Sequence, residues 1–196
     1  MNLRLSTSLL LATSLAIIAV AQVDVAASAN GGIASQSSDY SSISTADKAN
    51  DGDRQGNYSA ANNIAHTGFE SGAFWESSFA TAAAIDTVNV FNRTDGFGER
   101  INPFNVILYL GLTEVYSATN QTFIPTITGP QISGMSFMTN GVIADRVRIQ
   151  LAGSNYLQLA EVEAFSSRPV PEPASIAALG MGAFALMRRR KARTAA

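Results

Sequence analysis

Residues 85–93 read Ile-Asp-Thr-Val-Asn-Val-Phe-Asn-Arg, and the fold class follows from how these residues alternate. In an extended chain, successive side chains point to opposite faces. Val88 and Val90 therefore share one face, while Asn89 and Phe91 share the other. The pattern predicts a β-strand that ends at Arg93, where a loop with two glycines begins.

Further alternating stretches follow this strand along the chain. Residues 104–110 read Phe-Asn-Val-Ile-Leu-Tyr-Leu, and residues 146–151 read Arg-Val-Arg-Ile-Gln-Leu. A short strand is also predicted at 32–36, and two more, joined by long turns, within 112–141. Between 30 and 169 no stretch keeps apolar residues at helical spacing over three turns. The sequence therefore predicts an all-β sandwich.

The last predicted strand, residues 157–165, contains a break in its alternation. Leu157 and Leu159 are odd-numbered, whereas Val162 and Ala164 are even-numbered. Because side chains on one face recur every second residue, this shift predicts a β-bulge near 160–161.

The only tryptophan, Trp75, follows Phe74 in a short aromatic patch that also contains Phe69 and Phe79. An aromatic pair ahead of a strand is more often part of a core than a ligand platform. We therefore predict that the Phe74–Trp75 pair packs in the interior.

The composition excludes several classes of function. The chain has no cysteine, so it has no disulfide, thiolate nucleophile or cysteine-ligated metal site. Residues 30–169 contain 7 basic and 13 acidic side chains, a net charge of −6. Since nucleic-acid-binding domains carry a basic face, this balance argues against DNA or RNA as a partner.

The first 29 residues have the organisation of a secretory signal peptide. Arg4 gives a positive start, residues 9–21 are apolar, and Ala27-Ser28-Ala29 is a small-residue cleavage signal. Residues 19–21, Ala-Val-Ala, form a second candidate cleavage signal. We therefore predict export, with a folded domain over 30–168.

The only histidine, His66, and the residues after the 85–93 strand, Arg93, Asp95 and Arg100, form a candidate binding cluster. A guanidinium presents five donors in a fixed fork, and an imidazole can both donate and accept. These groups could meet several hydroxyls of an uncharged sugar. The alternative is a loop with ordinary surface charges and one exposed histidine.

Residues 46–57 are rich in Asp and Asn and contain two glycines. Oxygen-rich loops of this kind suit Ca²⁺, which takes six to eight oxygen ligands, including backbone carbonyls. The loop is not an EF-hand, because the acidic residue expected at its end is missing. The alternative is a simple solvated turn.

The C-terminal segment, residues 169–196, has three parts. Residues 169–173 read Pro-Val-Pro-Glu-Pro, 174–187 form a 14-residue apolar stretch, and 188–191 read Arg-Arg-Arg-Lys. This order resembles the PEP-CTERM sorting signal of Gram-negative bacteria, which implies processing by an exosortase-type membrane transpeptidase. The apolar stretch is shorter than the about 20 residues of a membrane span. The basic cluster behind this short apolar helix would still hold the tail on the cytoplasmic side of the membrane before processing. A plain C-terminal anchor is the alternative.

His66, 26 intervening residues, Arg93-Thr94-Asp95, four further residues and Arg100 together resemble the signature of the F-type lectin (fucolectin) family. In a chain with one histidine, this spacing rarely arises by chance. The turn at 49–53, the aromatic pair at 74–75 and the stretch 159–163 also look like parts of that family. The resemblance covers about residues 32–166 and implies an eight-stranded jelly roll of the discoidin or galactose-binding type.

The resemblance also implies roles for individual residues. His66, Arg93 and Arg100 would bind the hydroxyls and ring oxygen of fucose, and Asp95 would orient an arginine. A structural Ca²⁺ would be held by the side chains of Asp51 and Glu161, the carbonyls of Lys48, Asp53 and Ala160, and an oxygen of Asn62 or Asn63.

The chain departs from the family directly after Asp95. Many members carry a vicinal Cys-Cys pair there, against which the methyl group of the sugar packs. In this chain those positions are Gly96 and Phe97. Phe97 is therefore the candidate for the apolar contact.

The expected function is a Ca²⁺-stabilised module that binds fucose-containing or related glycans without chemistry. The alternative is a structural or adhesive extracellular-matrix protein with a degenerate sugar pocket. An enzyme is least favoured, because glycoside hydrolysis needs two carboxylates across a cleft and only Asp95 and Glu99 are candidates for that pair.

Overall fold

A computed structural model describes residues 22–61 and 63–167. The apolar part of the predicted signal peptide and the predicted segment 169–196 with its short helix lie outside these residues. The eleven strands of the described chain are β1 Val23–Asp24, β2 Ile33–Gln36, β3 Ala65–His66, β4 Glu70–Ser71, β5 Phe74–Asn92, β6 Phe104–Leu110, β7 Thr113–Gln121, β8 Ile127–Gly129, β9 Ile132–Leu151, β10 Ser154–Asn155 and β11 Gln158–Ser166. One helical turn, α1 Tyr58–Ala61, and 3-10 turns at Ser28–Asn30, Ala46–Ala49 and Gly98–Ile101 connect them. None of the helices within the described residues is long and apolar enough to cross a bilayer.

Two long antiparallel strands, β5 and β9, organise the sheet. They pair with each other along most of their length, with register shifts at 78–83 and 85–87. The early part of β5 lies beside β2, and the late part of β9 lies beside β6, which pairs with β7. The other parts of β5 and β9 pair with β11 and β8. Two groups of strands therefore share the same two continuous strands.

The two groups of strands pack against each other through one core. Trp75, Phe104 and Ile149 come from the first group, Val90 and Val162 from the second, and all are fully buried in one hydrophobic cluster. Burial of a side chain of this size contributes about 1.5–3 kcal/mol relative to exposure. The arrangement is the predicted all-β sandwich.

Most of the predicted strands and the predicted bulge are confirmed. β6 begins and ends at the predicted residues, and β11 has a register shift between Leu159 and Glu161. Trp75 lies in the core as predicted, and its indole N–H donates to the carbonyl of Ala46 at 2.8 Å. The prediction is wrong for Phe74, because neighbouring residues of a strand face opposite sides of the sheet; Phe74 is only half-buried, and the guanidinium of Arg148 lies 4.1 Å from its ring centre.

The structure differs from the prediction in the length and number of strands. β5 begins at Phe74, whereas the prediction began it at Ile85. The earlier part of the strand was missed because the alanines and threonine of residues 79–84 give no clear alternation. The prediction was eight strands, and four of the eleven observed have only two residues. Phe69, from the same aromatic patch as Trp75, is 63% exposed.

The folded domain begins before the predicted start at 30. β1 pairs with the end of β11, and Ala26 is fully buried, with its carbonyl accepting hydrogen bonds from Asn50 and Ser77. Cleavage after Ala29 would remove these contacts, whereas cleavage after residue 21 would keep them. Of the two predicted cleavage signals, the one at 19–21 is therefore compatible with the complete sheet.

Candidate functional site

All four residues predicted to contact a ligand line one cavity of about 300 Å³; they are His66, Arg93, Phe97 and Arg100. Its lining consists of Tyr40, Tyr58, His66, Arg93, Phe97, Arg100 and Tyr156. This volume is at the lower end of the range for small-molecule sites in proteins. The cavity is thus of a size suited to one small ligand.

Strand pairing to β11 explains why distant residues meet at this cavity. His66 in β3 pairs with Gln158 at the start of β11, and the next residue, Leu159, pairs with Asn92 at the end of β5. Arg93 follows Asn92 directly. β11 therefore brings His66 and Arg93 together.

The loop after β5 returns Arg100 to the same cavity. Gly96 and Phe97 have φ values of 104° and 62°, and the left-handed region is unusual for a bulky residue such as phenylalanine. Asn92 stabilises the loop, because its Nδ2 donates to the carbonyl of Gly98 at 2.8 Å. A 3-10 turn then carries Arg100.

Gln158, which is 1% exposed, joins the three predicted donors. Its amide oxygen is assigned to the side that faces His66 Nε2 at 2.6 Å, Arg93 Nη1 at 3.0 Å and Arg100 Nη1 at 3.3 Å. The reverse assignment would point the amide N–H groups at two guanidiniums, which cannot accept. One buried oxygen therefore holds the imidazole and both guanidiniums together.

His66 is buried, at 2% exposure, so the alternative of an exposed loop histidine is wrong. Its Nδ1 lies 2.8 Å from the carbonyl oxygen of Thr67, and its ring stacks on Tyr40 with the centroids 4.3 Å apart. Burial lowers the pKa of His66, and the guanidiniums of Arg93 and Arg100 lower it further, against the opposing effect of the Thr67 carbonyl. These effects favour the neutral ring, whose single N–H can donate either to the carbonyl of Thr67 or to the oxygen of Gln158.

Asp95 holds the guanidinium of Arg93. Asp95 Oδ1 accepts from Arg93 Nε at 2.5 Å, and Oδ2 accepts from Arg93 Nη2 at 3.3 Å and from the backbone N–H of Ser59 at 2.7 Å. Burial alone would raise the pKa of Asp95, but the bonds from Arg93 and Ser59 outweigh burial and hold this pKa well below its usual range. Asp95 therefore contacts an arginine, as the resemblance implies.

Aromatic rings enclose both guanidiniums. Arg93 lies 4.8 Å from the ring centre of Tyr58 and 5.1 Å from that of Phe97. Arg100 lies 4.1 Å from Phe97 and 5.0 Å from Tyr156. Cation–π contacts of this kind contribute about 0.5–2 kcal/mol each. The cavity thus presents fixed N–H donors beside aromatic faces, a combination that suits an uncharged ring with several hydroxyls.

Four residues of the site carry no clear signal in the sequence. Tyr40, Tyr58 and Tyr156 come from three segments that show no alternation. Gln158 occupies the position between Leu157 and Leu159 that alternation assigns to solvent. The only available signal was its closeness to the predicted bulge.

The predicted Ca²⁺ loop contacts β11 at the bulge. Glu161 is fully buried, and its Oε1 accepts from the N–H of Gly52 at 3.1 Å. Asn63 Nδ2 donates to Asp53 Oδ2 at 3.1 Å. Within the described residues, Glu161 Oε2 and Asn63 Oδ1 are buried without a hydrogen-bond partner. Burial raises the pKa of Glu161 to about 9, and Asp51 adds to this shift. Buried acceptors that lack donors fit a bound cation.

The other predicted Ca²⁺ ligands lie at the start of the loop and at the bulge of β11. Lys48 lies in the 3-10 turn that begins the loop, and Ala160 is fully buried at the bulge. Asn62 lies outside the described residues. Across residues 22–61 and 63–167, no three His, Cys, Asp or Glu side chains are grouped to hold a metal ion. A cation at this loop would therefore depend on amide and backbone oxygens as well.

Residues 169–191 match the PEP-CTERM protein-sorting motif. This motif indicates export and sorting to the cell envelope or the extracellular space. No curated protein matches the chain.

Three solved structures show what this fold is similar to. A fucose binding module of Streptococcus pneumoniae, SpX-3, is 26% identical with a TM-score of 0.62, over 74% of this chain and 98% of the module. The lectin domain of lectinolysin, complexed with Lewis B antigen, is 28% identical with a TM-score of 0.63, over 74% and 100%. The striped bass (Morone saxatilis) serum fucolectin is 26% identical with a TM-score of 0.61, over 76% and 48%. The chain therefore has the carbohydrate-binding, lectin-like jelly-roll fold together with a PEP-CTERM export signal.

Proposed function

We propose that this chain is an exported, non-catalytic lectin whose cavity binds terminal fucose or a related deoxysugar. The observation that carries the proposal is the convergence of His66, Arg93 and Arg100 on the buried oxygen of Gln158, beside aromatic rings. Guanidinium donors that are fixed before the ligand arrives lose little side-chain entropy on binding.

The two kinds of side chain in the cavity match the two kinds of surface on a deoxysugar. Arg93 and Arg100 can donate to sugar hydroxyls. Phe97, 49% exposed, offers an apolar face for the methyl group. The fucose binding module and the Lewis B complex of lectinolysin support this choice of ligand.

Binding without hydrolysis is supported by the composition of the cavity. Its seven lining side chains, all within the described residues, include no carboxylate. Glycoside hydrolases generally use a pair of carboxylates about 5–10 Å apart. Asp95, one of the two sequence candidates, is instead engaged with Arg93.

We also propose that a structural Ca²⁺ stabilises the loop 46–57 against β11. The side chains of Asp51, Glu161 and Asn63 and the carbonyls of Lys48, Asp53 and Ala160 would hold it. The ion would replace the proton that burial favours on Glu161 and tie the loop to β11, three residues from Gln158. The partnerless oxygens Glu161 Oε2 and Asn63 Oδ1 support this assignment.

For processing, we propose that an exosortase-type membrane transpeptidase recognises the motif at 169–191 and removes the tail near Pro171-Glu172-Pro173. Before this step, the apolar stretch 174–187 would associate with the membrane. The presence of the sorting motif supports the proposal. Mass spectrometry of the secreted protein would test it, because cleavage would leave a C-terminus near 171–173.

A glycan array probed with the purified chain tests the proposed ligand class. We expect binding to glycans that end in fucose, and loss of that binding in His66→Ala and Arg93→Ala. Arg146→Ala, which removes an arginine of β9 outside the cavity, should keep it. An array without bound glycans, or binding that survives both cavity substitutions, would contradict the proposed function.

A further inference from the structure

We propose that Phe69 and the adjoining face of Tyr156 form a second sugar subsite. It would take the sugar residue next to the terminal deoxysugar of a fucosylated oligosaccharide. The inference rests on the proposed function of the cavity. It adds a contact that the cavity itself does not contain, because Phe69 is not among the lining residues.

A continuous row of aromatic rings leads out of the cavity to Phe69. Tyr156, a lining residue, meets the ring of His66 edge-on with the centroids 5.5 Å apart. The same tyrosine meets Phe69 edge-on at 5.4 Å and Tyr40 at 5.9 Å. By these spacings, Phe69 lies one ring beyond the cavity wall.

Short strands hold Phe69 and Tyr156 side by side. Phe69 immediately precedes β4, and Tyr156 immediately follows β10. These two strands pair, with Glu70 opposite Asn155. The position of the two rings is therefore set by backbone hydrogen bonds.

Polar contacts fix the loop on which Phe69 lies. Glu70 Oε1 accepts from the hydroxyls of Ser37 and Ser38 at 2.5 and 2.6 Å. The N–H of Gly68 donates to Ser38 Oγ at 3.0 Å. A large apolar ring, 63% exposed on a loop tied at both of its neighbours, is already positioned for a ligand.

The chemistry of this surface favours a sugar as its occupant. A phenylalanine ring offers only an apolar face, which packs against the C–H groups of a pyranose ring. The row is continuous with the cavity through Tyr156, so an oligosaccharide whose terminal residue fills the cavity would extend across Phe69. Glu70 and Asn155, the residues next to the two rings in the chain, are polar and pair with each other across β4 and β10.

Calorimetric titration of the full chain with L-fucose and with fucosyl disaccharides tests the subsite. The disaccharide panel covers every natural linkage to the second sugar. For wild type we expect at least one disaccharide to bind more tightly than L-fucose. Phe69→Ala should lower the affinity for that disaccharide about five- to tenfold and leave the affinity for L-fucose unchanged. Phe69→Trp should still bind the disaccharide more tightly than L-fucose. Leu112→Ala, at an exposed apolar residue of the β6–β7 turn, should behave as wild type.

Two outcomes overturn the inference in different ways. If Phe69→Ala lowers the affinity for no disaccharide relative to the affinity for L-fucose, the proposed subsite is wrong, while the cavity remains a fucose site. If wild type binds neither L-fucose nor any disaccharide, the proposed function fails and the subsite fails with it. Circular dichroism of Phe69→Ala would show that the substitution leaves the fold intact.

Discussion

At the scale of single residues, the arrangement of the cavity depends on Gln158, which is buried and does not line it. Its oxygen is shared by one imidazole and two guanidiniums. Without that acceptor, the two guanidiniums would lose the one oxygen that they share, and of the two only Arg93 would keep a carboxylate partner, Asp95. Gln158 is thus a positioning residue, and Arg93 and Arg100 are the groups expected to meet the sugar.

Substitution of Gln158 tests this role. We expect Gln158→Leu to lower the free energy of unfolding by about 1–3 kcal/mol, because buried donors lose their acceptor. L-fucose affinity should fall at least tenfold, since the guanidiniums are no longer fixed. Gln158→Glu, which keeps an acceptor, should restore much of the binding. Calorimetry and urea unfolding measure both effects, and a Gln158→Leu protein with wild-type affinity would contradict the role.

The lowered pKa of His66 gives a prediction for pH dependence. The unfolded chain has a histidine pKa of about 6.5 and takes up the proton before the folded chain does. His66 therefore contributes stability above pH 6.5 that is lost as the pH falls through its lower folded value. Urea unfolding between pH 7.5 and 5 should show a decline that is smaller in His66→Gln. Parallel profiles for the two proteins would show that burial does not disfavour the charged ring.

The sequence predicted only part of the site, and the reason lies in the individual residues. His66, Arg93 and Arg100 could be found because their spacing along the chain is distinctive. Gln158 could not, since an amide between two leucines in a strand has the pattern of a solvent-facing residue. Its burial comes from the pairing of β11 with both β3 and β5, which involves residues far apart in sequence.

At the scale of elements, the bulge in β11 links the sugar cavity to the proposed Ca²⁺ site. The register shift between Leu159 and Glu161 follows Gln158 directly and directs the Glu161 side chain to the loop 46–57. This break was predictable, because the parity of apolar residues changes within one short strand. The full extent of β5 was not predictable, since its alanine-rich middle is defined by pairing with β9 and not by its own pattern.

Calcium should stabilise the protein through this element. We expect millimolar CaCl₂ to raise the melting temperature, because an ion that binds only the folded chain adds about 2.7 kcal/mol at a hundredfold excess over its dissociation constant. Glu161→Gln should abolish the calcium effect, while Glu114→Gln on β7 should retain it. Differential scanning calorimetry with EDTA as the metal-free reference makes the comparison. Equal melting temperatures of wild type with CaCl₂ and with EDTA would argue against the ion.

At the scale of the whole molecule, the two ends of the described chain lie at the opposite end of β11 from the cavity. Gln158 begins this strand beside His66, and Ser166 ends it beside Val23. Nine residues of strand span about 30 Å. The backbone N–H of Ser167, which precedes the sorting segment, donates to Asp86 at 2.9 Å. This geometry depends on strand register and was not visible in the sequence.

The distance between the cavity and the ends of the described chain predicts where added domains are tolerated. Replacement of residues 168–196 by a globular tag should leave L-fucose affinity within twofold of wild type. Insertion of the same tag at Gly153, three residues before Tyr156, should reduce it strongly, because this loop adjoins the cavity. Calorimetry of both fusions makes the test, and equal affinities for the two would contradict the proposed location of the sugar.

The most direct test of the central claim is titration of the purified chain with L-fucose by isothermal calorimetry, with D-fucose as the ligand control. We predict saturable binding of one L-fucose per chain, lost in Arg93→Ala and in Arg100→Ala and retained in Arg146→Ala. Absence of L-fucose binding by the folded wild type, or equal binding of D-fucose, would contradict the claim that this cavity is a fucose site.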